Sequence, residues 1–194
     1  MSSPYARARL AIDQAHTADP TRTADGRPAE LVYADRVEAW VKRLVPDAPE
    51  LLLLAARCQH LERWKTPRSS YPEGRLGYLE WRKVLYKQQA DRARALLLQA
   101  GVPAEEAEEA AVWVSKTGLK TNPGTQALED AAILVFLENE IQAFLAQHAD
   151  KPRETMVNIL RKSWRKLSPQ GQEAAASLTL PPEVRTLLQE ALSP

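Results

Sequence analysis

The stretch that most constrains the fold is PELLLLAARCQHLERW, from Pro49 to Trp64. It is apolar around most of a helical circumference as far as Ala56. A helix there must be covered on several sides, which places it centrally. Elsewhere the apolar residues recur at three and four. Leu31, Val37, Trp40, Val41 and Leu44 mark one helix face, and Pro46 and Pro49 end that helix and start the next. A long helix is predicted over Leu76 to Ala100, stopped by Gly101. VPAEEAEEAAVWVSKTG opens with proline and an acidic first turn and stops at Gly118. LEDAAILVFLE leads the second strongly apolar helix. No strand alternation, hairpin turn or repeat period competes with this pattern. The expectation is an all-α fold of about eight or nine helices. It forms a single domain over residues 1–194, with 168–194 a candidate appended helical segment.

Net charge is +1, so no global field draws the chain to nucleic acid or membrane. No apolar run approaches the ~20 residues of a membrane helix. One cysteine, Cys58, excludes an intramolecular disulfide framework. A cytoplasmic location is expected.

The bland totals hide one concentrated segment. From Arg57 to Lys87 there are eight basic residues against three acidic ones, with Trp64, Tyr71, Tyr78, Trp81 and Tyr86 among them. If the helix through Ala56 continues, Arg57, His60, Leu61 and Trp64 share a face. Tyr78, Trp81, Arg82 and Tyr86 do so on the next helix. Between them, TPRSSYP sets Arg68, Ser69, Ser70 and Tyr71 on a turn stiffened by Pro67 and Pro72. Guanidinium groups bind phosphate oxygens in pairs, and aromatic rings stack on bases or wall a pocket. Arg57, Arg63, Trp64, Arg68, Ser69, Ser70, Tyr71, Arg75, Trp81 and Arg82 are therefore the expected binding residues for a phosphorylated small molecule or another anion. Pairing of the same arginines with Glu62, Glu73 and Glu80 would make the segment purely architectural. The acidic balance of the remaining chain argues against broad contact with a nucleic-acid backbone.

The other chemistry-bearing residues are sparse. His16, His60 and His148 are the three histidines. Glu129 and Asp130 open the second apolar helix, where acids complement a helix dipole or, leading into a core, reach a metal or an arginine. Lys116 and Lys162, from the later helices, are weaker candidates for the same anion and read more readily as solvated surface lysines. There is no glycine-rich phosphate loop, nucleophile elbow or zinc motif. Cys58 and His60, two apart, would point to different faces of a helix and make no dyad.

QHLERWKTPRSSYPEGRLGYLEWR, LEDAAILVFLE and ILRKSWRKLSPQGQEAA together resemble a bacterial and fungal family of uncharacterised function, over nearly the whole chain. More distantly, a histidine ending a buried helix with a later helix-borne aspartate is similar to the HD-domain phosphohydrolases. That resemblance implies a divalent metal held by His60, Asp130 and His16, with His60, Asp130 and Glu129 in catalytic roles. The chain departs from the pattern where Leu61 follows His60, the place of the superfamily's aspartate. The alternative is a non-catalytic module binding a nucleotide, an RNA end or an acidic peptide through residues 57–87.

Overall fold

Helix periodicity and punctuation translate directly into the fold. The computed structural model describes residues 2–193 and is built from ten α-helices with short 3₁₀ and π turns between some of them. Among the described residues no strand forms beyond one isolated bridge, Arg22 to Pro28. Two compact units divide the chain, Met1–Leu128 and Glu129–Pro194, and the division falls inside one helix.

The first unit carries α1 (Pro4–Thr17), α2 (Ala29–Leu44), α3 (Glu50–Arg57), α4 (Gly74–Gln99), α5 (Ala104–Val114) and the start of α6 (Pro123–Val135). Ser3 caps α1 by accepting the Ala6 N–H, and proline follows directly at the first helical position. α3 is the buried centre that the apolar run requires: Leu51, Leu52, Leu54, Ala55 and Ala56 are all buried. α3 is covered by α1, α2 and α5, whose Ala8, Ile12, Val37, Val41, Ala107 and Ala110 are likewise buried. α4 stops ahead of Gly101, whose φ of +87° suits the left-handed end that glycine provides.

α3 is shorter than the sequence suggests. It ends at Arg57, not near Trp64. His60 and Glu62 then take φ values of +60° and +55°, which no α-helix contains. Arg57, His60 and Trp64 therefore do not share a helix face. The chain runs instead through 3₁₀ turns at Arg63–Lys65 and Arg68–Ser70 into α4. A Cβ on Gly77 would lie 1.9 Å from the Pro72 carbonyl oxygen, so only glycine lets the turn return this tightly against α4.

The second unit takes the end of α6, a π turn at Phe136–Glu140, α7 (Ile141–Gln147), α8 (Arg153–Lys166), α9 (Pro169–Ala176) and α10 (Pro182–Leu192). Met156, Val157 and Leu160 of α8 and Val184, Leu187 and Leu188 of α10 form its core. No helix in the described residues is long and apolar enough to cross a membrane.

Candidate functional site

The basic residues of the 57–87 segment have different surroundings. Arg57 belongs to the fold. Its side chain is 2% exposed. Its nitrogens lie 2.5 Å from Asp13, 2.8 Å from Asp35 and 2.8 Å from Glu38. Burial alone would favour the neutral guanidine, but hydrogen bonds to Asp35 and Glu38 and the charge of Asp13 outweigh it and raise the pKa. Arg68 is also structural: its guanidinium donates to the carbonyls of Tyr71 and Pro72 at 3.0 and 2.8 Å, closing the turn. Ser69, Ser70 and Arg75 are exposed, and Trp64 and Tyr71 are half-buried. Trp81 is buried as a wall, with its indole N–H donating to the Thr66 carbonyl at 2.8 Å.

His60 gathers the rest. Its imidazole stacks on Tyr33 of α2, ring centres 3.9 Å apart and planes within 6°. Glu30, in the first turn of α2, brings Oε2 to 3.3 Å from Nδ1. Arg63 Nη1 lies 3.1 Å from Nδ1 and 2.8 Å from Nε2 and can only donate, while its guanidinium sits 5.0 Å over the Trp81 ring. Burial, then the charges of Arg63, Arg82 and Lys116, drive the His60 pKa well below its ordinary value, so the ring is neutral. Arg82 is held by contact with the Tyr86 hydroxyl, its guanidinium 4.8 Å from that ring and 6.0 Å from Tyr78. Lys116 comes from the turn between α5 and α6, at a φ of +62°. His60 and Lys116 thus both hold backbone conformations that cost a non-glycine residue about 1–3 kcal/mol, the kind of strain that clusters at functional sites.

Glu30 is the carboxyl within this cationic group. Burial pushes its pKa up to about 7; Arg63 opposes the rise and Asp19 adds to it. Asp19 is itself buried, and its two oxygens accept the N–H groups of Thr21 and Glu30, both at 2.9 Å. With side chains 22% and 18% exposed, His60 and Glu30 remain reachable from solvent.

The residues expected to hold a metal or perform catalysis lie in different surroundings. His16 is fully buried in unit 1 and its Nε2–H donates to the Arg57 carbonyl at 2.7 Å, leaving Nδ1 alone without a partner. Asp130 belongs to unit 2. Its Oδ1 accepts the Ser168 N–H at 2.9 Å and its Oδ2 the Ser168 hydroxyl at 2.5 Å, while Ser168 caps α9. A Cβ on Gly171 would lie 2.8 Å from the Asp130 carboxyl carbon, so α9 begins directly against this group. Glu129 pairs with Lys166 at 3.0 Å. No group of three or more His, Cys, Asp or Glu side chains among the described residues could hold a metal. A guanidinium against both ring nitrogens of His60 and a serine on each oxygen of Asp130 do not fit a metal's donor set. Asp130→Ala is expected to cost unit 2 about 2–3 kcal/mol by removing two charge-assisted hydrogen bonds from the α9 cap. Thermal unfolding measures it. Cys58 is buried and its thiol pushed up to about 12 by that burial, which leaves it inert as a nucleophile.

A family model, described as a domain of unknown function (DUF4202), matches residues 6–188. The chain belongs to the DUF4202 family. No curated protein and no solved structure matches it.

In this DUF4202 chain Glu30, Tyr33 and Asp19 are site residues that the sequence did not single out, and Lys116 stood there only as a weaker candidate. Glu30 lies in the first turn of α2, where an acid ordinarily complements the helix dipole, and that setting hides it. The one local signal was AELVY, which puts Glu30 and Tyr33 three apart on one face of α2.

Proposed function

We propose that unit 1 of this DUF4202 protein binds a phosphorylated small molecule at the neutral His60, with Arg63, Arg82 and Lys116 supplying the positive charge. The observation that carries this reading is the Arg63 guanidinium 2.8 Å from Nε2 of a partly exposed imidazole, with the charges of Arg82 and Lys116 bearing on the same ring. Permanent cations around a partly exposed ring complement a phosphate, and guanidinium groups favour its oxygens. The positive φ of His60 and Lys116 supports it as well. The site as described needs no metal to bind an anion.

Hydrolysis of a bound phosphate ester is the second reading. It is favoured by Glu30, a carboxyl with a pKa of about 7 within 3.3 Å of His60. Glu30 itself can then exchange a proton near neutrality, as a general acid or base requires, while His60 stays neutral beside it.

Calorimetric titration with inorganic phosphate and pyrophosphate at low salt tests the proposal. Both are expected to bind. Arg63→Gln and Lys116→Ala are each expected to weaken binding about 10-fold, the cost of one charge-assisted contact, whereas Arg36→Gln on the exposed side of α2 changes nothing. Equal affinities in all four proteins, or no binding by the wild type, overturn it. Release of phosphate from pyrophosphate or a phosphate monoester, lost in Glu30→Gln, would establish the second reading.

A further inference from the structure

Alongside the His60 group, the start of α4 arranges cations and rings in alternation. The Arg63 guanidinium lies 5.0 Å from the Trp81 ring, and Trp81 lies 5.9 Å from Tyr78 at a 49° tilt. Arg82 follows, 6.0 Å from Tyr78 and 4.8 Å from Tyr86. The order is guanidinium, indole, phenol, guanidinium, phenol. It arises because Tyr78, Trp81, Arg82 and Tyr86 sit three and four apart on one helix, while Arg63 is delivered by the preceding 3₁₀ turn. Trp81 closes the inner side at 5% exposure, but Tyr78 is 44% exposed. An exposed phenol ring therefore stands beside one of the cations that faces His60.

We infer that the ligand is a nucleoside phosphate whose base stacks on the exposed ring of Tyr78 while its phosphate meets Arg82, Arg63 and Lys116. This rests on the phosphate-binding reading above and adds the second half of the ligand. An anion alone has no use for an exposed ring. A flat, polar heterocycle attached to a phosphate uses both the ring face and the neighbouring guanidinium, which stacks on bases as well as on phenols. Arg82 joins the two halves, since it lies beside Tyr78 and also bears on His60. A small nucleotide fits better than a polynucleotide, because the basic excess of residues 57–87 sits in a chain of net charge +1 and extends into no long stripe.

The test is calorimetry with adenosine 5′-monophosphate, ribose 5-phosphate, inorganic phosphate and a 5′-phosphorylated oligonucleotide, on wild type, Tyr78→Ala and Tyr78→Phe. Adenosine monophosphate is expected to bind about 10-fold or more tightly than ribose 5-phosphate, the worth of one base stacked on an aromatic ring. The ratio should fall to about one in Tyr78→Ala and survive in Tyr78→Phe. Circular dichroism establishes that each variant is folded. Equal wild-type affinities for the two sugar phosphates overturn the inference and leave phosphate binding standing. A preference for the adenine compound that survives in Tyr78→Ala overturns the role of Tyr78. Much tighter binding of the oligonucleotide overturns the choice of a small ligand. Binding of none of these phosphates removes both readings together.

Discussion

Replacing Arg57 by methionine is expected to destabilise unit 1 by about 3–5 kcal/mol, the largest single-residue effect in the molecule. The side chain is 2% exposed and holds Asp13, Asp35 and Glu38 together. Methionine fills much of the volume but leaves three carboxylates facing one another. Glu38 is the worst placed, since its side chain is 4% exposed and cannot move into water, although Arg9 and Lys42 still neutralise part of its charge. A quadruple variant that also converts Asp13, Asp35 and Glu38 to their amides should recover much of the loss, because the penalty lies in the stranded charges. Urea unfolding monitored by far-ultraviolet circular dichroism gives both numbers. Near-wild-type stability of Arg57→Met would show that the network carries no weight.

The second large effect separates two glutamates on α2 that respond to pH in opposite directions. Burial alone would raise the Glu38 carboxyl, but hydrogen bonds from Arg9, Lys42 and Arg57 overcome this and hold it at about 2, below its ordinary 4.5. The folded state then keeps Glu38 ionised where the unfolded chain protonates it. The resulting stability, about 3 kcal/mol, is complete above pH 4.5 and lost as pH falls towards 2. Glu30 behaves the other way. Burial raises it from 4.5 to about 7, so between those values the folded state holds a proton that the unfolded state lacks. Stability from this group is full below 4.5 and lost as pH rises through 7.

Glu30→Gln should therefore match the wild type near pH 4.5 and exceed it at pH 8 by about 2–3 kcal/mol. The difference between the two proteins isolates Glu30. His60 and His16, whose depressed pKa values remove stability as pH falls below 6.5, are present in both. Glu38→Gln should be weaker than wild type at neutral pH and converge with it near pH 2. Thermal unfolding across pH 2–9 on the three proteins checks the pattern, and parallel curves would contradict it.

Much of the fold is legible in the chain because helix periodicity and its stop signals are local. Gly101 ends α4 where glycine is needed, and the apolar run after Pro49 is the buried centre of unit 1. The early end of α3 is not legible, because the break uses His60 and Glu62 at positive φ with no glycine or proline to announce it. The place of Asp130 is equally hidden: the expectation put it at the opening of a helix, but α6 begins at Pro123, and its partner Ser168 lies 38 residues away, beyond the reach of any local spacing. Within the candidate site, His60, Arg63 and Arg82 stand out by composition. Arg57 stands out for the same reason and belongs to the core instead, since composition does not distinguish a buried arginine surrounded by acids from one facing solvent. Glu30 meets His60, and the charge of Lys116 bears on it, only through tertiary packing, which no spacing in the chain encodes.

The central claim is that Arg63, Arg82 and Lys116 form a phosphate site at His60. Crystals grown with tungstate, a tetrahedral dianion with strong anomalous scattering, test it most directly. The account predicts an anomalous peak within hydrogen-bonding reach of these three side chains, lost in Arg63→Gln crystals. Tungstate bound only elsewhere, with the His60 group unchanged and empty at saturating concentration, would contradict it.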